Sequence, residues 1–172
     1  MLDNATFSGS TLGLRPAQTA DAPFLEALHR STRPDLQLLD GAPGQVDALL
    51  AQQYEVLQAG AGTSYPNAMH FVIEQASQRV GGLIVDFGPN EVRVIYLALV
   101  PAVRGMGYGR EVMQGLQQAA SRARAPLAVT VWRNNPRARQ LYLRLGFVVE
   151  SVQPMIEQLV WYPDARPRVV VP

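Results

Sequence analysis

Apolar and polar residues alternate over 11–16 (TLGLRP), the period of a short half-buried strand. From Asp21 the period changes. Phe24, Leu25 and Leu28, with Thr32 a turn on, recur at helical spacing, with Pro23 in the first turn and Thr19 or Asp21 placed to cap it. Pro34, Gly41, Pro43 and Gly44 make 33–44 a loop. Val46, Leu49, Leu50, Tyr54 and Leu57 predict a second helix over 46–59, stopped by Gly60 and Gly62. Three strand-like runs follow, at 70–75, 80–87 and 91–100, separated by turns at 77–79 and 88–90. Sequential strands with short turns predict an antiparallel meander. After that, strand and helix alternate. A glycine-rich turn at 104–109 opens a helix running to about 122, followed by a strand at Leu127–Trp132 and a helix over about 136–145. Two last strands, from Phe147 and over about 155–161, are divided by Gln153 and Pro154. The order β, α, α, β, β, β, α, β, α, β, β is an α/β domain with a mixed sheet.

Composition narrows the chemistry. A length of 172 residues suits one domain with a substantial core, assigned to 1–162, with a proline-rich extension at 163–172. The chain has no cysteine, which removes disulfides, a thiolate nucleophile and a cysteine-rich zinc site. All 15 basic residues are arginine, so neither Schiff-base chemistry nor a phosphate-loop lysine is available. Two histidines without ligand spacing give no metal site. The N-terminal residues lack a basic flank followed by an apolar run, and no apolar stretch approaches the roughly 18 residues of a membrane span. No membrane partner is expected, and a cytoplasmic location is the default.

The segment from 95 to 123 is the most informative. A strand ends at Pro101, then come Arg104 and glycines at 105, 107 and 109, then an amphipathic helix. Glycines permit a tight turn and close approach of backbone to a ligand, and a helix start offers free N–H groups and partial positive charge to an anion. The Walker pattern fails for want of lysine. The dinucleotide pattern G-x-G-x-x-G fails because position 110 is Arg. What remains is R-x-x-G-x-G on Arg104, Gly107 and Gly109. Downstream, Asn135, Ala138, Leu141, Tyr142, Gly146 and Phe147 form N-x-x-A-x-x-L-Y-x-x-x-G-F. Asn135 can cap a helix beginning at Pro136, and Gly146 suits its end.

These two motifs, in this order, resemble the signatures of the GNAT superfamily of N-acetyltransferases, in an uncharacterised bacterial branch. The resemblance is strong over 91–150, and the element order extends it over 11–161. It implies the GNAT acyl-CoA N-acyltransferase fold: a mixed, mostly antiparallel central sheet, splayed at the cofactor site and flanked by helices. It also implies acetyl-CoA as co-substrate, a primary amine as acceptor, no metal, and direct transfer in a ternary complex, with a homodimer as a family expectation. By the same resemblance the backbone at Leu97, Leu99 and Val100 meets the pantetheine arm. Arg104, Gly105, Met106, Gly107, Tyr108, Gly109 and Arg110 hold the pyrophosphate, mostly through backbone N–H groups. Asn135 reaches the pantetheine amides, and the small side chain of Ala138 lets the ligand pass. Tyr142 protonates the departing thiolate.

The general base is less determined. Glu91, Glu74, Asp86 and Tyr96 are the candidates, and Glu91 stands first because it begins the central strand. Trp132 stands where many relatives carry an acid. His29 and His70 read as structural or surface residues. On the acceptor side, Arg30, Arg33, Asp35, Tyr54 and Tyr65 can contribute contacts. Two other readings stay open: a catalytically silent acyl-CoA-binding module, and an arginine-rich nucleic-acid binder. Charge weighs on the latter. Against 14 acidic residues the formal net charge is +1, but 104–144 holds eight arginines against Glu111 alone, while 1–103 holds five arginines against ten acids. A basic segment on the two motifs suits a polyphosphate, and the acidic half leans toward a cationic acceptor. No nucleic-acid partner is expected, because exposed aromatics do not interleave with the arginines.

Overall fold

The computed structural model describes residues 10–32 and 43–164. Most of the extension expected at 163–172 and most of the loop expected at 33–44 lie outside them. Among the described residues four α-helices and seven strands follow the predicted order. The strands are β1 Leu12–Pro16, β2 Ala68–Gln75, β3 Gln78–Phe87, β4 Val92–Leu99, β5 Leu127–Trp132, β6 Val148–Val152 and β7 Ile156–Trp161. The helices are α1 Ala22–Ser31, α2 Pro43–Ser64, α3 Tyr108–Ala123 and α4 Pro136–Arg144.

One seven-stranded sheet runs β1-β2-β3-β4-β5-β7-β6, and every neighbouring pair is antiparallel except β4 with β5. The meander holds as predicted. Its β2–β3 turn places Ala76 and Ser77 at positive φ, 47° and 65°. That backbone suits a two-residue hairpin, although Ala76 is not one of the usual turn formers.

Alternation sorts the sheet residues onto two faces. On one face Phe71, Ile73, Leu83, Val85 and Val129 pack with Val112, Met113, Leu116 and Ala120 of α3. On the other, Val72 and Ala98 pack with Leu25 and Leu28 of α1 and Tyr54 of α2. Helices α1 and α3 thus bury the apolar stripes their spacing predicted, while on α2 Tyr54 is buried and Leu49 is exposed.

Two local expectations change. Helix α2 runs through Gly60 and Gly62 to Ser64. Glycine weakens a helix by about 1 kcal/mol without forbidding it, whereas Tyr65 precedes Pro66, and a residue before proline is driven out of the helical region. Asp21 is the N-cap residue of α1 but makes no side-chain cap bond. Its carboxylate instead accepts from Arg15 at 2.7 and 2.9 Å, from the Gln18 N–H at 2.8 Å and from Arg79 at 3.3 Å. These donors hold the buried acid well below the usual carboxylate range, with the Arg15 hydrogen bonds as the main cause.

Candidate active site

The site begins with a fault in the sheet. Strands β4 and β5 pair in parallel at Val92↔Leu127, Arg93↔Ala128 and Val94↔Val129, and no further. Immediately beyond, β4 carries a bulge. Against β3, Ile84 faces Tyr96 and Val85 faces Val94, so Ile95 is the extra residue. A bulge bends its strand and steepens its twist, and here it falls where β4 leaves β5.

The backbone beyond the bulge has a definite orientation. The Val100 N–H donates to the Val80 carbonyl at 2.9 Å. Hydrogen-bonding direction alternates along an antiparallel strand. Ala98 and Tyr96 therefore turn their backbone groups to β3 as Val100 does, and Leu97 and Leu99 turn theirs to the gap. Leu97 and Leu99 thus present their backbone to the gap. Val100 does not: its N–H is held by Val80, and its carbonyl accepts from the Val103 N–H at 3.2 Å.

The gap widens into a cleft of about 600 Å³, walled by β4, β5, α1, α2 and α4. Asn135, Ala138 and Tyr142 line it together, on one side of α4. Asn135 Oδ1 accepts from the Ala138 N–H at 3.2 Å, the predicted cap. Tyr142 is buried, with its ring centroid 5.6 Å from that of Phe147. Burial pushes its hydroxyl up to about 12, so it keeps its proton throughout the neutral range.

The loop between β4 and α3 lies beside this cleft. Gly105 and Gly107 sit at φ +79° and +86°, a region costly to any residue with a Cβ. No side chain caps α3, leaving its first N–H groups without a helical partner. Arg104 donates through Nε to the Leu99 carbonyl at 2.9 Å and through Nη2 to Ser31 Oγ at 3.0 Å. It so joins the loop to the gap edge and to the end of α1. Arg137 was not foreseen: its Nη2 lies 3.0 Å from where a Cβ on Gly105 would sit, adding a second cation at the loop. An arginine at the second position of the helix after Asn135 could have suggested it.

The expected bases fare differently. Glu91 does not line the cleft, and its carboxylate is paired with Arg93 at 2.5 Å. The three paired positions Val92–Val94 separate it from the opening, about 10 Å along an extended strand. Glu74 is paired with Arg15 at 2.7 Å, and Asp86 is buried on β3; neither lines the cleft. Tyr96 does line it, and its hydroxyl is buried with no partner among the described residues. Burial drives that hydroxyl strongly upward, so it is a donor and not a base at neutral pH. Of the acceptor-side candidates, Tyr54 is buried behind the cleft, while Arg33 and Asp35 lie outside the described residues. His29, read as structural from sequence, lines the cleft. Among the described residues no acid lines it and no cluster of potential metal ligands occurs. No helix there is long and apolar enough to cross a membrane.

Residues 66–149 match the family model of the acetyltransferase (GNAT) domain. No curated protein matches the chain. Solved structures do. The PaiA N-acetyltransferase of Thermoplasma acidophilum, in complex with coenzyme A, is 13% identical over 88% of this chain and 98% of its own, with a TM-score of 0.68. An acetyltransferase of Thermus thermophilus is 23% identical over 89% and 97%, with a TM-score of 0.63. RimL, a ribosomal L7/L12 alpha-N-protein acetyltransferase, is 17% identical over 94% and 95%, with a TM-score of 0.66.

Proposed function

We infer that this chain, whose residues 66–149 are a GNAT acetyltransferase domain, moves an acetyl group from acetyl-CoA to a primary amine directly, with both substrates bound at once. The observation that carries this reading is the break between β4 and β5 after Val94, with Leu97 and Leu99 turned to it and Tyr142 at its wall. A gap edged by backbone that no neighbouring strand pairs is a template for an extended chain of amides, and pantetheine is such a chain. The uncapped start of α3, with Gly105 and Gly107 in turns that expose backbone, fits a pyrophosphate at the other end of that chain. Arg104 and Arg137 supply charge there.

Each residue then has a bounded task. The Leu97 and Leu99 backbone orients the thioester arm by strand-like hydrogen bonds. Asn135, its Oδ1 used in capping, keeps its amide N–H groups for the ligand. Tyr142 keeps its proton at neutral pH and delivers it to the sulfur as the C–S bond breaks. The absence of cysteine leaves no thiol for an acyl-enzyme relay, which favours transfer in one complex. The acceptor half of the cleft offers Gln52, Gln53, Thr32 and Thr130 beside Leu49 and Val56.

The test has two parts. Acetyl-CoA added to the protein should raise its Tm, and incubation with acetyl-CoA and an amine panel should give products heavier by one acetyl group. No Tm shift at millimolar acetyl-CoA removes the reading. A shift without any acetylated product leaves a silent CoA-binding module in its place.

A further inference from the structure

We propose that the acceptor is an amine carrying an apolar, ring-sized body, and that Trp132 with one side of α2 selects it. The inference rests on the acetyltransferase reading and names the substrate class of the same cleft. It begins with the two faces of the sheet. Val129 and Val131 of β5 pack in the core on the α3 side. Side chains alternate along a strand, so Thr130 and Trp132 point to the opposite face, where α1 and α2 lie. Because β4 and β5 stop pairing after Val94, the cleft has walls on both faces. Ala138 and Tyr142, which pack with the α3-side core, line it on one. Trp132 and α2 line it on the other. The features suited to the donor, α4 and the glycine turns that open α3, belong to the first face. The second is left for the acceptor.

That second face is apolar where it is open. On α2, positions 49, 52, 53, 56 and 57 line the cleft, the spacing of a single helix side. Leu49 and Val56 on that side are 39% and 65% exposed, and Trp132 is 57% exposed. Single exposed apolar side chains are ordinary on a protein surface. Three that line one cavity, contributed by two elements far apart in sequence, form a patch that an apolar group covers favourably. Trp132 also offers a broad indole, which stacks on a second ring with a gain beyond the area buried. Gln52 and Thr130, set among these residues, are uncharged and carry both donors and acceptors, so they orient a polar group without neutralising a charge. An amine with its body against Trp132, Leu49 and Val56 places its nitrogen toward the gap, where the backbone of Leu97 faces.

The experiment measures kcat/KM for 2-phenylethylamine and for ethanolamine, primary amines of the same link length that differ by a phenyl ring against a hydroxyl. The proteins are wild type, W132A, W132F and V152A, each also melted with and without acetyl-CoA. Val152 is the control, an apolar residue of β6 that is 59% exposed and does not line the cleft. Wild type should prefer 2-phenylethylamine by about 10-fold or more. W132A should cut that preference by about 10-fold, chiefly through KM, and W132F should restore most of it. V152A should keep the wild-type preference, and the acetyl-CoA shift in Tm should be alike in all four. Equal use of the two amines by wild type, or a preference for ethanolamine, overturns the proposal. So does an unchanged preference in W132A; if its acetyl-CoA shift is then reduced, Trp132 serves the donor instead. A wild type that acetylates other amines but not 2-phenylethylamine refutes this proposal alone. One that acetylates no amine refutes the acetyltransferase reading first, and this proposal with it.

Discussion

Gly81→Ala tests the geometry of the cleft without touching any lining residue. Gly81 lies on β3 opposite Leu99. A Cβ there would meet the Ala98 carbonyl oxygen at 2.5 Å, the Leu99 Cδ2 at 2.9 Å and the Ile73 Cδ1 at 3.0 Å. The first contact decides the outcome, because it is backbone and cannot rotate away. Carbon meets a carbonyl oxygen at about 3.3 Å, so strand β4 must retreat by roughly 0.8 Å at this point. Such overpacking costs about 3 kcal/mol at its upper end. Replacing a strand glycine returns roughly 0.5–1 kcal/mol of backbone entropy. About 2 kcal/mol of destabilisation remains, a Tm fall of about 4–8 °C for a chain of this size. The retreat carries Leu97 and Leu99 into the gap, so acetyl-CoA binding should weaken as well. The assay is a thermal melt with and without acetyl-CoA, beside two controls. Gly82→Ala meets only the Cδ2 ends of Leu25 and Leu28 as close neighbours, at 3.0 and 3.2 Å, and should lose less. Gly13→Ala meets nothing within 4 Å and should match or exceed wild type. Gly81→Ala melting at or above wild type would refute the steric argument. Normal acetyl-CoA affinity in a destabilised Gly81→Ala would refute the link between β4 and the site.

Tyr142→Phe should lower kcat by about 100-fold while leaving acetyl-CoA affinity within a few-fold; equal turnover on a true substrate excludes Tyr142 from proton transfer. Because burial holds its hydroxyl near 12, Tyr142 should set no alkaline decline in rate below about pH 11, which a pH–rate profile reads directly. Asp21→Asn should cost about 3 kcal/mol by leaving Arg15 and Arg79 without their shared acid. The folded pKa of Asp21 is depressed, so its contribution is full above the unfolded value of about 4 and is lost as pH falls below it. Wild type should therefore lose stability on acidification more steeply than Asp21→Asn, and parallel urea midpoints from pH 5 to 2 would count against the ion pair.

Helical and strand periods made the element order readable, because each helix has one sheet face to cover and each strand one alternation to satisfy. Asn135, Gly146 and the glycines at 105 and 107 were readable for a stricter reason. A cap, a left-handed stop and two positive φ angles each admit few residues. The end of α2 was misread at Gly60 because glycine only weakens a helix, whereas Pro66 ends it. The bulge at Ile95 left no mark, since an inserted β-branched residue looks like any other strand position. The lining of the cleft was illegible for a related reason. Glu91 looked central by its place in sequence, but three paired residues separate it from the gap. His29 looked incidental on its helix and gains its setting only from Tyr54 and Tyr96, which lie 25 and 67 positions further along the chain. Arg137 was hidden among eight arginines until the fold set it beside Gly105.

The short seam between β4 and β5 also bears on how the domain holds together. Strands β1 to β4 form one half-sheet and β5 to β7 the other, and only three backbone register pairs join them. Helix α3, packed on β1, β4 and β5, is the main splint across the joint. A ligand lying in the seam becomes a further splint, made of a molecule the cell supplies. At a hundred times its Kd, such a ligand adds about 2.7 kcal/mol to the stability of the folded chain. The protein has given up part of the stitching of its own sheet, and its mechanical unity rises and falls with the supply of the molecule that takes the missing strand's place.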